Sequence, residues 1–174
     1  MTLEQFRKSD IVLVCGLPGS GKSYFAKKYF AKSGCKRVSR KNIRQYLYEM
    51  LTFGDKWSDD KFDLVDENLV KHLERKTAEH FLQLGEKILI DNMSISSASR
   101  KDYITLAKQN KKTISAIFIN TDIATCLKRN RERPPEDVVA DSVIANLVAT
   151  VEYPDRREGF KDVLIIDKFE DGLK

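Results

Sequence analysis

The chain has little of what marks a disulfide-stapled, zinc-bound or membrane-anchored protein. It carries three cysteines in 174 residues, Cys15, Cys35 and Cys126. They form an odd set without metal-ligand spacing, which argues against a disulfide framework or a zinc site. No apolar run approaches the roughly 18–20 residues of a membrane span. Residues 1–8 lack the long apolar stretch of a signal peptide. The two histidines, His72 and His80, stand without a cysteine or carboxylate pattern and read as surface residues. There is no internal repeat, no low-complexity tract and no evident linker. These absences lead us to expect a cytoplasmic protein, residues 1–174 as one domain, with no membrane contact and no protein partner.

One absence is local and more informative. Residues 11–48 contain no acidic side chain but nine basic ones: Lys22, Lys27, Lys28, Lys32, Lys36, Arg37, Arg40, Lys41 and Arg44. The net charge is +5, so the remainder of the chain is acidic on balance. Such a basic field suits nucleotide phosphates or a nucleic-acid backbone. For Lys27, Lys28 and Lys32, a solvated helix face explains the pattern equally well. A second basic cluster covers residues 128–133.

Hydrophobic residues make up 41% of the chain and charged residues 33%, enough apolar mass for a core. Short apolar runs at 11–15, 87–91, 113–119 and 163–166, with a weaker one at 36–39, read as strands. Helical patterns fill the intervals at about 22–31, 42–51, 60–84, 97–109, 123–130 and 136–150. Phe62, Val65, Leu69, Leu73 and Phe81 are the expected buried face of the longest helix. Strands alternating with helices predict an α/β fold, a parallel sheet of about five strands flanked by helices.

The motif that carries chemistry is Gly16-Leu17-Pro18-Gly19-Ser20-Gly21-Lys22-Ser23. It matches G-x-x-x-x-G-K-[ST] between a strand and a helix, the context that gives the pattern its meaning. Glycines let backbone N–H groups turn toward phosphate oxygens, and the following helix adds its positive end. Lys22 is placed to reach the β- and γ-phosphates and Ser23 to ligate Mg²⁺. Gly16, Pro18, Gly19, Ser20, Gly21, Tyr24 and Arg129 complete the expected nucleotide contacts. Asp91, ending the strand at 87–91, is the expected acid of the Mg²⁺ shell, with Asn92 and Ser94 in support. The implied cofactors are ATP and Mg²⁺. A switch GTPase would need a guanine-reading Asn-Lys-x-Asp, which is absent, and an AAA-type ATPase usually needs a larger chain. Arginines ahead of a helix suit a phosphotransferase lid.

In this ordered set the chain resembles the P-loop polynucleotide 5′-hydroxyl kinases of phage and bacterial type. The resembling pieces are the P-loop, Ser39-Arg40-Lys41-Asn42-Ile43-Arg44, Ile90-Asp91-Asn92-Met93-Ser94 with Arg100, Arg129-Asn130-Arg131-Glu132-Arg133, and Glu158-Gly159-Phe160. The resemblance implies a P-loop NTPase kinase fold with an arginine-bearing lid. It implies that Arg44 holds the phosphate flanking the acceptor hydroxyl and that Arg133 meets the β/γ-phosphates. It also implies that Arg129 packs near the donor nucleotide and that Arg100 supports the site. For Arg131 an exposed basic helix end is the preferred reading. The default acceptor is the 5′-OH of DNA or RNA. A hydroxymethyl group on a DNA base, a nucleoside or nucleotide, another small hydroxyl metabolite, and a binding module with little catalysis are the alternatives.

Lys41 departs from that pattern. The family has an aspartate there, which orients the attacking hydroxyl or takes its proton, and a protonated lysine cannot. Three explanations stay open. Another carboxylate serves, with Asp55, Asp59, Asp60 and Asp63 nearby in sequence; Lys41 binds an extra acceptor phosphate; or transfer is poor. Trp57, Phe53 and Phe62 are expected to plug the acceptor loop rather than stack on a base. Tyr24, Phe25, Tyr29 and Phe30 are expected in the core. No D-x-D-x-[TV] phosphatase signature is present.

Overall fold

The structure, a computed structural model, describes residues 2–167. A short helix α1 (Leu3–Arg7) precedes β1 (Ile11–Cys15), α2 (Lys22–Phe30), β2 (Lys36–Val38) and α3 (Arg40–Leu51). A 3-10 turn at Asp59–Leu64 leads to α4 (Glu67–Gln83), β3 (Ile88–Asp91), α5 (Ser97–Gln109), β4 (Ile114–Ile119) and α6 (Ile123–Arg131). Two further 3-10 turns, Pro135–Asp137 and Arg156–Glu158, flank α7 (Asp141–Val148), and β5 (Val163–Ile166) follows.

The five strands are parallel, in the order β2-β3-β1-β4-β5. All five residues of β1 and all six of β4 are buried, as central strands covered on both faces require. Their alternate side chains feed two cores. Leu13, Ile90, Phe118 and Ile104 lie on one face; Val14, Ile117, Phe25 and Phe6 lie on the other. Because every strand is parallel, β1 and β3 both end at the same edge of the sheet. That edge receives the glycine-rich loop and Asp91, the crevice position of open α/β sheets.

Two expected helices are interrupted. The pattern at 60–84 is a 3-10 turn, an extended Val65 and then α4, because the Asp66 carboxylate caps a new start by accepting from the Asn68 N–H at 2.8 Å. The face turned to the core is Val70, Glu74, Ala78 and Leu82, while Leu69 and Leu73 are 38% and 36% exposed. A carboxylate holds a core-facing position, so apolar periodicity alone selects the wrong stripe. The pattern at 136–150 is a 3-10 turn followed by α7. There the side chain of Asn130, fully buried, donates to the Val139 carbonyl (2.6 Å) and accepts from the Val139 N–H (3.1 Å), holding that stretch out of helix.

Arg100 is wholly buried on α5. Its Nε and Nη2 donate to both carboxylate oxygens of Glu158 (2.8 and 2.7 Å), and its Nη1 to the carbonyls of Glu152 and Ser94. Two separated pieces of the motif set therefore form one ion pair, which ties the β3–α5 loop to the segment before β5. Removing one partner of a buried pair strands the other charge. Glu158→Ala should accordingly cost about 3–5 kcal/mol of unfolding free energy in urea titration. A change below about 1 kcal/mol would contradict the role given to this pair.

Candidate active site

The loop between β1 and α2 is pinned from three sides. Its first N–H, at Gly16, donates to the Met93 carbonyl at 2.9 Å, and the Thr121 hydroxyl donates to the Ser20 carbonyl at 2.9 Å. On the third side it touches α6 so closely that only glycine fits. A Cβ on Gly19, at φ +79°, would lie 2.1 Å from the Cys126 carbonyl oxygen. Gly21, also left-handed, is the N-cap of α2. The Ser20 hydroxyl is buried and has no hydrogen-bond partner among the described residues. A buried polar atom left open inside a turn of this shape fits an anion received from solvent.

Lys22 starts α2 and folds back over the loop, its Nζ donating to the Leu17 carbonyl at 2.7 Å. Burial lowers its pKa to about 8; the Asp91 charge opposes that fall and the Arg133 charge adds to it. One side chain therefore feels both the end of β3 and the segment beyond α6. The charges of Asp91 and Arg133 both act on Lys22. Arg133 is half-buried, and its Nη1 donates to the Asp137 carbonyl at 3.4 Å. Arg129 is exposed on α6. Tyr24 is 60% exposed rather than part of the core, where Phe25 and Phe30 do lie.

Asp91 sits at the tip of β3 with its side chain 2% exposed, and it is not alone. Arg37 of β2 donates to its Oδ2 through Nε (2.9 Å) and Nη2 (2.6 Å). Mg²⁺ bound with a nucleotide takes most of its ligands from phosphate and water, and one or two protein oxygens suffice. The exposed hydroxyl residue Ser23 and the Oδ1 of Asp91, which Arg37 does not engage, fit that modest demand. Among the described residues no group of three or more His, Cys, Asp or Glu could hold an ion by itself.

Asn92, next in the chain, joins a buried knot. Its Oδ1 accepts from the Arg40 N–H (3.0 Å), while its Nδ2 donates to Glu74 and to the Tyr103 hydroxyl. Arg40 donates to Glu74 Oε2 through Nε (3.0 Å) and Nη2 (2.7 Å). Burial and the Glu74 charge push the Tyr103 hydroxyl well above its usual pKa, so it stays protonated and donates to Glu74 Oε1.

The other expected acceptor residues are also engaged. Arg44 Nε meets Glu67 Oε1 at 2.5 Å, and its guanidinium lies over the rings of Phe62 (4.6 Å) and Trp57 (5.9 Å). Trp57 is buried edge-on against Tyr48, as a plug, whereas Phe53 is fully exposed. Lys41 Nζ meets Asp137 Oδ1 at 2.6 Å. Arg131 pairs with Asp141 in solvent. Of the carboxylates considered for the missing aspartate, Asp55 and Asp60 are exposed, and the side chains of Asp59 and Asp63 lie outside the described residues.

Thus Lys36, Arg37, Arg40, Lys41 and Arg44, five of the nine cations in the acid-free stretch, each find an acid from elsewhere: Glu86, Asp91, Glu74, Asp137 and Glu67. Lys27, Lys28 and Lys32, with Glu4, Arg7 and Lys87, line an open cleft of about 570 Å³ at the C-terminal end of α2. Glu74 and Asp137 belong to no sequence motif and emerge only in the structure; Asn130 stands in the 129–133 segment, but its hold on Val139 is not legible there. The signal that points to the acids is the stretch itself, since so many cations near one site require counter-charges.

A family model described as an AAA domain matches residues 11–154. The chain belongs to that family. Its description carries the AAA name that chain length argues against, yet the relatives matched are kinases. A protein of Acanthamoeba polyphaga mimivirus, named as a bifunctional polynucleotide phosphatase/kinase, is 27% identical over 116 residues, 66% of this chain and 22% of the relative. An L-seryl-tRNA(Sec) kinase of Methanococcus maripaludis is 22% identical over 147 residues, 83% of this chain and 53% of the relative. The chain thus spans about half or less of the curated relatives it matches. A gluconokinase structure from Sinorhizobium meliloti superposes with a TM-score of 0.59 at 16% identity, over 95% of this chain and 85% of that one. The protein has an α/β fold with a five-stranded parallel sheet and a P-loop. No helix among the described residues is long and apolar enough to cross a membrane.

The lowered pKa of Lys22 has a measurable consequence. Above pH about 8 the free protein holds Lys22 largely neutral, and an arriving triphosphate, being anionic, favours the ammonium. Nucleotide binding at about pH 9 should take up close to one proton, falling toward zero at about pH 6.5. Calorimetry in two buffers of different ionisation enthalpy reads this directly. Equal uptake at both pH values would contradict it.

Proposed function

We propose that the protein transfers the γ-phosphate of ATP, with Mg²⁺, to a hydroxyl of a nucleic acid, by default a 5′-OH. The observation that carries the reading is the glycine loop with Lys22 folded over it, where the charges of Asp91 and Arg133 act on that lysine and the start of α3 is bonded to the end of β3 through Arg40 and Asn92. Lys22 and the loop amides hold the β- and γ-phosphates. Arg133 neutralises charge on the moving phosphoryl group, and Arg129 lies near the donor nucleotide. Ser23 and Asp91 would hold Mg²⁺, which bridges phosphate oxygens when bound. Arg44 offers an acceptor phosphate its Nη groups, because Glu67 takes the Nε edge. The ordered motif set supports the nucleic-acid acceptor, as do two relatives named for polynucleotide and tRNA substrates.

A small hydroxyl metabolite is the second reading, and one observation favours it. The acid-free stretch spends five of its cations inside the protein, so the field left for a polyanion is smaller than the sequence implies. The likeness to a gluconokinase is compatible with the same reading.

Transfer from γ-labelled ATP to 5′-OH oligonucleotides, 5′-phosphorylated oligonucleotides, hydroxymethyl-base DNA, nucleosides and sugars decides between them. The expected result is label on 5′-OH strands, reduced roughly a hundredfold or more in Lys22→Ala. Label on small acceptors only would replace the first reading by the second, and label on a 5′-blocked strand would move the acceptor to an internal hydroxyl. Arg44→Ala should raise the acceptor KM about tenfold or more and leave the ATP KM within a few fold. The reverse pattern would remove Arg44 from the acceptor site.

A further inference from the structure

Phosphoryl transfer to a hydroxyl uses a residue that orients the nucleophile and accepts its proton. Among the described side chains, four carboxylates stand near the reacting edge. That of Asp91, 2% exposed, is held by Arg37 and is the expected Mg²⁺ ligand, and that of Glu74, 3% exposed, is spent on the Arg40–Tyr103–Asn92 knot. Glu67 begins α4, and its side chain, 27% exposed, is paired with Arg44. Asp137 differs from the two buried acids in its exposure and from Glu67 in its place beside Arg133. Its side chain is a quarter exposed. It lies on the 3-10 turn just after Arg133, whose guanidinium donates to the Asp137 carbonyl and whose charge acts on Lys22. Its carboxylate crosses to α3, where Oδ1 accepts from Lys41 Nζ (2.6 Å) and Gln45 Nε2 (3.2 Å). Both contacts fall on Oδ1. This carboxylate thus joins the phosphate-side arginine segment to the acceptor helix and keeps a second oxygen for a ligand.

We propose that Asp137 is the carboxylate that orients the acceptor hydroxyl and takes its proton, delivered by the segment that carries Arg133. Lys41 and Gln45 position it. The proposal deepens the kinase reading above and holds for whichever acceptor that reading establishes. In the step, the acceptor oxygen forms its bond to the γ-phosphorus while the bond to the β–γ bridging oxygen breaks. The electron pair of that bond leaves with ADP, and the hydroxyl proton passes to Asp137. The arrangement also explains why a lysine serves at position 41: it is the counter-ion that aims the acid. Because Asp137 and Arg133 share one turn, the acid is in place only when the charge-neutralising arginine is. Hydroxyl activation is thereby coupled to closure over the phosphates.

The test uses the acceptor that the wild-type chain labels best. Asp137→Asn should lower kcat by about 10²–10⁴-fold and leave the ATP KM within a few fold. Lys41 and Asp137 touch, so a carboxylate moved to position 41 reaches the same place. Lys41→Asp combined with Asp137→Asn should recover roughly tenfold or more over Asp137→Asn alone. Lys41→Asn combined with Asp137→Asn keeps a hydrogen-bonding pair without any carboxylate and should recover nothing. Three results would overturn the proposal. The first is Asp137→Asn within about threefold of wild-type kcat. The second is no recovery when Lys41→Asp is added to Asp137→Asn, while nucleotide still binds. The third is equal recovery when Lys41→Asn is added instead, which would make the pair a structural latch. A wild-type chain that labels no acceptor at all overturns the kinase reading itself, and this proposal with it; every other failure falls on Asp137 alone.

Discussion

A single buried carboxylate organises the junction of α3, α4, α5 and the end of β3. Glu74 lies on the core face of α4, where an ionised group without partners would be strongly disfavoured. Its partners come from three other places: Arg40 at the start of α3, Asn92 just past β3, and Tyr103 on α5. Asn92 in turn accepts the Arg40 N–H. The need to satisfy one charge thus sets where α3 begins relative to the end of β3. Lys41 and Arg44, one and four residues further on, are carried to their places by that constraint. Breaking such a knot costs more than forming it gains, so it acts mainly to specify one arrangement.

The donor half is built from close packing rather than charge. β1 delivers the glycine loop, and α6 presses against it so tightly that Gly19 has room for no side chain beside Cys126. Beyond α6, Asn130 grips the backbone of Val139 in both directions, which shapes the turn carrying Arg133 and Asp137. The halves meet where Lys41 and Gln45 reach Asp137. Partly exposed ion pairs of this kind contribute little to stability, around 0–1 kcal/mol. Their effect is on geometry, and a weak contact between a lid and a helix is one that a substrate can open.

Most of the fold is legible in the chain, for a simple reason. Central parallel strands buried on both faces read as unbroken apolar runs, and those at 11–15, 87–91 and 113–119 are β1, β3 and β4 within a residue; the run at 163–166 is the edge strand β5, where Ile165 is 41% exposed. The failures share a cause as well. The stretch 60–84 reads as one helix with Leu69 and Leu73 inside, because a core position held by Glu74 looks polar to any hydrophobic count. The stretch 136–150 reads as continuous helix because the side chain that interrupts it, Asn130, lies nine residues from its target. Arg100 and Glu158, 58 residues apart, each stand out as motif pieces, but nothing in either segment says that they bond to one another.

The same division applies to the site. The amino-acid sequence by itself determined the phosphate cradle, because glycines, a lysine and a serine at set spacing between a strand and a helix are a local chemistry whose parts lie within eight residues. It also determined that a dense set of cations stands beside that cradle. Only the tertiary structure decided what those cations do. Electrostatic pairing depends on distance in space, and the acids that answer Arg37, Arg40, Lys41 and Arg44 come from β3, α4 and the turn beyond α6. A stretch that looks like an open field for a polyanion therefore spends five of its nine cations on the protein's own acids.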